Sequence, residues 1–467
     1  MTVRSASPGS PAASQPAGQH PAGAAHAASP GPAAPRRRAG RRLRSAATPT
    51  RLRVLMIGLL LAALAWGAAG AWTVAQHASA ARDVVTTSEP LSLSAQQMYR
   101  SLSDADVTAT TAFLAGPDVP LAARQRYQAD IAQAATDLSA LKDAAAPGSG
   151  RTLPAGLTTV STALPVYTGY VAQAQTEYAL GYLLTGGSFM QVASEVMHLT
   201  LLPAARAVYG QENAGLTAAS ARATGLPWIA VVLVLAIGIG VVLYRVQRWL
   251  WRHSHRVVNY GLVTATAVLA AGALWLAVAF VVARADLQRG VGHGSAPAET
   301  LAQAAIDTQQ IRGDEILNLI SRSGDATFVA DFGSVRAQLG PGPGTLLTNA
   351  AGSSPAGAGT LWAAAAARDV QPWYAVNDQV YRLDAQARYA QETRLVIGSG
   401  PGSSATGFGR VEADLSRAIA ADQVIFHADA TAGSDAFSGL EAGIIVAALL
   451  MALCCAWGLS VRLAEYR

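Results

Sequence analysis

Charge is scarce in this sequence. Asp, Glu, Lys and Arg make up 13% of its 467 residues, against about 25% in an ordinary soluble domain. Lys142 is the only lysine. Cysteine is limited to the adjacent pair Cys454 and Cys455, which excludes a disulfide-stapled secreted scaffold. No His or Cys set has metal-ligand spacing; His253 and His255 are two residues apart in an arginine-rich stretch. The glycine-rich stretches at 338–344 and 398–402 lack the Lys and Ser/Thr of a phosphate-binding loop. No nucleophile elbow frames a serine. These absences point away from an enzyme and require neither a cofactor nor a metal.

Apolar length is abundant instead. Hydrophobic residues make up 51% of the chain. Runs at 54–76, 226–244, 257–282 and 442–461 contain no Lys, Arg, Asp or Glu. About 20 such residues cross a hydrocarbon core of about 30 Å, so four transmembrane helices are expected. The first run exceeds the roughly 7–15 apolar residues of a signal-peptide core, which favours an uncleaved anchor. Trp66, Trp72, Trp228, Trp249, Trp251 and Trp457 sit in or beside the runs, several near a membrane interface, where amphipathic rings are favoured.

The +5 net charge is unevenly distributed. The segment before the first run, the loop at 245–256 and the C-terminal stub at 462–467 hold fifteen basic residues and one acidic, a net +14. The segments at 77–225 and 284–440, together with Glu441, hold nineteen basic and twenty-eight acidic residues, a net −9. The positive-inside rule then places both termini and the short loop in the cytoplasm of a multi-pass cell-membrane protein, with both long segments outside. Residues 1–50, rich in Pro, Ala, Ser and Gly, cannot bury enough apolar surface to fold. Their late arginine cluster, 36–44, reads as a topology signal and a contact for anionic membrane lipid, with no nucleic-acid partner.

The fold class is all-α: four transmembrane helices and two duplicated extracytoplasmic antiparallel helical bundles. In the first bundle, helices are expected over 91–115, 121–146, 157–184 and 189–222, with a turn at Thr185–Gly186–Gly187. In the second they are expected over 298–322, 326–338, 361–395 and from 406, with a loop at 340–359. Asp106 and Asp314 match at an offset of 208, and Pro165–Val166–Tyr167 matches Pro372–Trp373–Tyr374 at 207. Such self-similarity marks a duplication.

Three residue sets are candidates for contact. Asp104, Asp106, Asp314 and Glu315 lie on long amphipathic helices, as solvated faces, ion pairs within the bundle, or contacts for an amine or a basic partner. Arg100, Arg206, Arg312 and Arg382 are candidates to hold a ligand carboxylate by bidentate bonds. Tyr167 and Tyr374 belong to an aromatic set on equivalent helices, for core packing or a partner groove. The short basic loop with Arg245, Arg248, Trp249, Trp251, Arg252 and Arg256 either sets topology or docks a cytosolic protein.

The segment LSDADVTATTAFLAG, residues 102–116, resembles the first ligand-domain helix of bacterial four-helix-bundle sensors related to chemoreceptors. The order of basic tail, spans, helical segments, basic hairpin and terminal RLAEYR resembles the GlnX-type actinobacterial membrane proteins over residues 50–467. That resemblance implies a relay of amino-acid availability. An extracytoplasmic solute-binding lipoprotein senses aspartate or glutamate, and a cytoplasmic serine/threonine kinase receives the signal. It also implies a homodimer. Two other readings stay open: an accessory subunit of a transport complex, and an envelope structural or interaction protein. Against the first, no span carries a charged residue to mark a substrate path.

Overall fold

The computed structural model describes residues 47–116, 121–148, 150–225, 227–254, 259–321, 326–340, 342–353 and 358–464. Leu52–Arg467 form one compact unit. Of the residues before it, only the start of the first helix, from Ala47, is described. The tail expected to be disordered, Arg256 and residues 465–467 lie outside the described residues.

All regular structure among the described residues is helical. The first half comprises α1 (Ala47–Asp83), a π-helical turn (Val84–Ser88), α2 (Glu89–Ala115), α3 (Leu121–Ala144), α4 (Ala155–Ala179), α5 (Leu183–Val196), a second π turn (Met197–Leu201), α6 (Leu202–Thr224) and α7 (Pro227–Ser254). The second half comprises α8 (Tyr260–Gly290), a third π turn (Val291–Ser295), α9 (Ala296–Ser321), α10 (Ala326–Leu339), α11 (Leu346–Ser353), α12 (Ala358–Ala385), α13 (Tyr389–Ile397), α14 (Ser404–Asp435) and α15 (Leu440–Ala464). The first and third π turns, and the starts of α2 and α9, repeat at an offset of 207. That register pairs Pro165 with Pro372 but puts Gly313, not Asp314, at the place of Asp106. The expected carboxylate pair is therefore one residue, about 100° of helix, out of step.

Each π turn has a cause in the sequence. Pro90, Pro203 and Pro297 each stand two residues past one of them. Proline lacks an N–H and its ring clashes with the carbonyl four residues back. Widening the preceding turn lets the helix run past the ring instead of breaking. Gly290, just before the third π turn, and Gly294, within it, lie where α14 crosses close by: a Cβ at Gly294 would lie 2.6 Å from that of Phe426.

Four helical stretches, Arg53–Ala115, Leu183–Arg252, Tyr260–Leu319 and Ser404–Val461, are long and apolar enough to cross a membrane, as fits a multi-pass membrane protein. The 63 residues of Arg53–Ala115 extend for about 95 Å at 1.5 Å per residue. The first span of each half thus continues into its bundle as one rod. The returning rods are interrupted instead, at Gly225 before Pro227 and at the turn ending in Gly439, where φ is +72°. Small residues bring the spans together, as in other membrane helices. A Cβ on Gly261 would lie 2.5 Å from the Gly458 Cα, and one on Gly67 would lie 2.3 Å from that of Ala448. Trp66, in the middle of the first run, is fully buried among the spans against Gly272, whereas Trp72, Trp228 and Trp457 face outward.

Several expected boundaries move. The turn after α4 falls at Leu180–Gly181–Tyr182, where Gly181 takes φ +88°. Gly186 is helical; a Cβ there would lie 2.9 Å from the Ala174 carbonyl oxygen, so it permits α5 to pack on α4. The loop expected at 340–359 contains α11, held by burial of Leu347 and Ala350. The helix expected over 361–395 breaks after Ala385, where Ala387 adopts φ +55°.

Candidate functional site

The two bundles do not stand apart. One face of α2 lies against α9 of the other half and reaches α14 through its side chains. Its residues Glu89, Gln96, Arg100, Asp104, Val107 and Leu114 recur at spacings of three, four and seven, the pattern of helices packed side by side. Arg100 donates to Ser416 Oγ at 2.6 Å and pairs with Glu412 at 3.2 Å. Gln309 Nε2 donates to Asp104 Oδ1 at 3.0 Å. Glu89 meets His427 at 3.2 Å. Toward the far end Val107 and Leu114 pack on Ile316, Leu319, Val380 and Val396.

Two buried polar clusters lie beside this seam. In the first bundle Ser194 Oγ donates to Asp106 Oδ2 at 3.0 Å, and His198 Nε2 lies 3.2 Å from the same oxygen. The Tyr167 ring is fully buried beside them. His198 belongs to the second π turn, and its ring rests on α9. A Cβ at Gly313 would lie 2.6 Å from His198 Cε1. Only glycine allows α9 that close, so His198 joins Asp106 of one half to the backbone of the other. In the second bundle Arg312 pairs with Glu315 at 2.5 Å and donates to Val396 O at 3.2 Å. Glu315 also accepts from Ser404 Oγ at 2.6 Å and Asn377 Nδ2 at 2.7 Å, while Trp373 Nε1 donates to Ser404 at 2.9 Å. Arg312 and Glu315 are each 1% exposed. These bonds offset the solvation that a buried pair gives up, while Arg312 Nε has no partner among the described residues.

The seam titrates in one direction. Burial opposes protonation of His198, but the hydrogen bond and charge of Asp106, with the charge of Asp314, outweigh it and hold His198 above its ordinary 6.5. Burial, then the charge of Glu412, pushes Asp104 up to about 7. Burial also raises Glu89. For the two carboxyls the folded state binds more protons than the unfolded chain above about pH 4, and for His198 it does so above about 6.5. Stability therefore falls as pH rises through each folded value. The seam is expected to be tighter at pH 6 than at pH 8. Hydrogen exchange in α2 and α9, corrected for intrinsic rates, measures this, and Asp104→Asn should flatten the change around neutrality. Protection that rises with pH would contradict the assignment.

The carboxylates and tyrosines singled out from the sequence are thus internal. Asp106, Asp314 and Glu315 are buried, and Asp104 is partly buried in the seam. Tyr374 is buried too; its hydroxyl donates to the Arg336 carbonyl at 3.2 Å, and the Arg336 guanidinium lies 4.4 Å over its ring. Asp104 meets the other half across the seam, whereas Asp106 and Glu315 bond inside their own bundles. Of the candidate arginines, Arg100 serves the seam and Arg312 the buried pair. The basic loop is largely helix: Arg245, Arg248, Trp249, Trp251 and Arg252 occupy the last turns of α7. Arg245, Arg248 and Arg252 are exposed on one face, whereas Trp249 packs on the core of the spans. Gln247 fixes that end by donating to Leu262 O at 2.9 Å and Thr266 Oγ1 at 3.0 Å on α8. Sequence pattern alone gives His198, Ser194 and Gly313 no role. The signal was present: Pro203 distorts the helix at His198, and a lone glycine interrupts a good helix beside Asp314.

Residues 80–221, from the end of α1 through α6, match the family model described as an actinobacterial sensor domain. The match supports an actinobacterial sensor protein with a role in sensing or signalling. No curated protein and no solved structure matches the chain.

Proposed function

We propose that this protein is a non-enzymatic transmembrane relay. The bundles face outward; the arginine-rich tail, the α7–α8 connection and the C-terminus face the cytoplasm. An extracytoplasmic lipoprotein that binds aspartate or glutamate engages the bundles, and a cytoplasmic serine/threonine kinase reads the inner ends. The observation that carries this reading is the seam. It joins α2 and α9, and each of these is the outer part of a rod that continues into a span. A partner that binds one seam geometry more tightly than another shifts the population of both rods. Signals of this kind need no catalytic group in the relay itself.

The exposed stripe Arg245, Arg248 and Arg252 is the proposed kinase contact. Replacing all three with Ala should abolish aspartate- or glutamate-dependent phosphorylation by the kinase. Membrane insertion should survive, because the nine arginines before the first apolar run still set orientation. Phosphoproteomics of cells carrying the variant gives the readout, and an undiminished response would reject the contact.

A further inference from the structure

A cavity of about 370 Å³ lies between α2, α3 and α4 of the first bundle. It exists because α3 lies along α2 and scarcely touches α4. Sites for small molecules run from about 300 Å³ upward, and about 150 Å³ suffices for benzene. The space therefore admits a fused two-ring body with a polar group. The cavity in the seam, at about 40 Å³, admits no such ligand.

The lining has a definite chemistry. Phe113, Tyr127 and Tyr178 supply aromatic surface, with Phe113 and Tyr178 edge to face at 5.1 Å. Gln128 and Gln175 supply amides, and Arg124 is the one cation of the lining, which contains no Asp or Glu. Arg124 makes no ion pair among the described residues. A guanidinium matches a carboxylate by two parallel hydrogen bonds. With no acid among the described lining residues to hold an ammonium, the wall selects an anion over a zwitterion. The set is not duplicated: 207 residues later stand Asp331, Ser334 and Ala385 in place of Arg124, Tyr127 and Tyr178.

We infer that this cavity is a binding site for a small aromatic carboxylate, whose carboxylate pairs with Arg124 and whose rings lie against Phe113, Tyr127 and Tyr178. Tyr127 gives the site a route to the seam. Its ring forms part of the wall, while its hydroxyl is buried without a hydrogen-bond partner, under the charge of Asp106. A ligand that moves Tyr127 acts one side chain away from the contact between His198 and Gly313. This inference does not depend on the kinase or the lipoprotein.

The test is calorimetric titration of the full chain in lipid nanodiscs with 2-naphthoate, with empty nanodiscs subtracted. The uncharged 2-naphthalenemethanol is titrated in parallel. The expected result is saturable binding at one site per chain, about ten-fold or more tighter for the acid. Arg124→Glu, a change at an exposed position, should remove that preference. Ala112→Trp, which fills the cavity, should remove saturable binding of both compounds, and circular dichroism checks that each variant keeps its helices. The inference is overturned by no saturable heat up to about 1 mM, by equal affinity for acid and alcohol, or by binding that neither variant changes.

Discussion

Glu315→Ala is expected to lower the stability of the second bundle by about 3–5 kcal/mol, the cost of leaving a buried charge alone. Arg312 is 1% exposed and would lose its carboxylate with no water to replace it. Ser404 and Asn377 would each lose an acceptor as well. Glu315→Gln keeps one acceptor oxygen for Ser404 or Asn377 and sets an amide N–H2 against the other, so an intermediate loss is expected. Replacing the pair together, Arg312→Met with Glu315→Leu, should cost far less than either single change, since apolar substitutes of similar volume are often neutral. Denaturant titrations followed by tryptophan fluorescence measure all four proteins. A loss below about 1 kcal/mol for Glu315→Ala would mean that water reaches the pair.

Gly313→Val should be the most damaging change in the seam. Its side chain must occupy the space of the His198 ring, and overpacking of this kind costs about 1–3 kcal/mol. The loss should be seen mainly as faster hydrogen exchange in α9 and in the second π turn, with each bundle core still protected. His198→Ala makes room for the valine, so the double variant should be more stable than the sum of the two single changes predicts. Additive losses would show that the two residues do not share a contact.

The helices and the spans were legible because they depend on local pattern. Four uncharged runs identify the spans, and the steps of Tyr127, Ile131, Ala134, Leu138 and Leu141 identify α3. The seam was not legible, because it depends on what a polar face meets. Glu89, Arg100 and Asp104 look like solvated residues in a single helix, and only the second half turns that face inward. The duplication was half visible. Pro165 and Pro372 gave the true register. Asp106 and Asp314 gave a false one by a residue, since the two bundles hold unrelated buried groups at their centres. The turn residues misled for a similar reason: Gly186 is small for packing, and the neighbouring Gly181 makes the bend.

The link between α7 and α8 has a consequence for the direction of transmission. Gln247 ties the end of α7 to the start of α8, and α8 continues through its π turn into α9. The two hairpins are therefore wired in series rather than in parallel. In the proposed relay, a displacement of α7 would be handed to α8 and carried through the third π turn into α9, beside Gly313 in the seam. The seam would then be both the input and the return of one circuit.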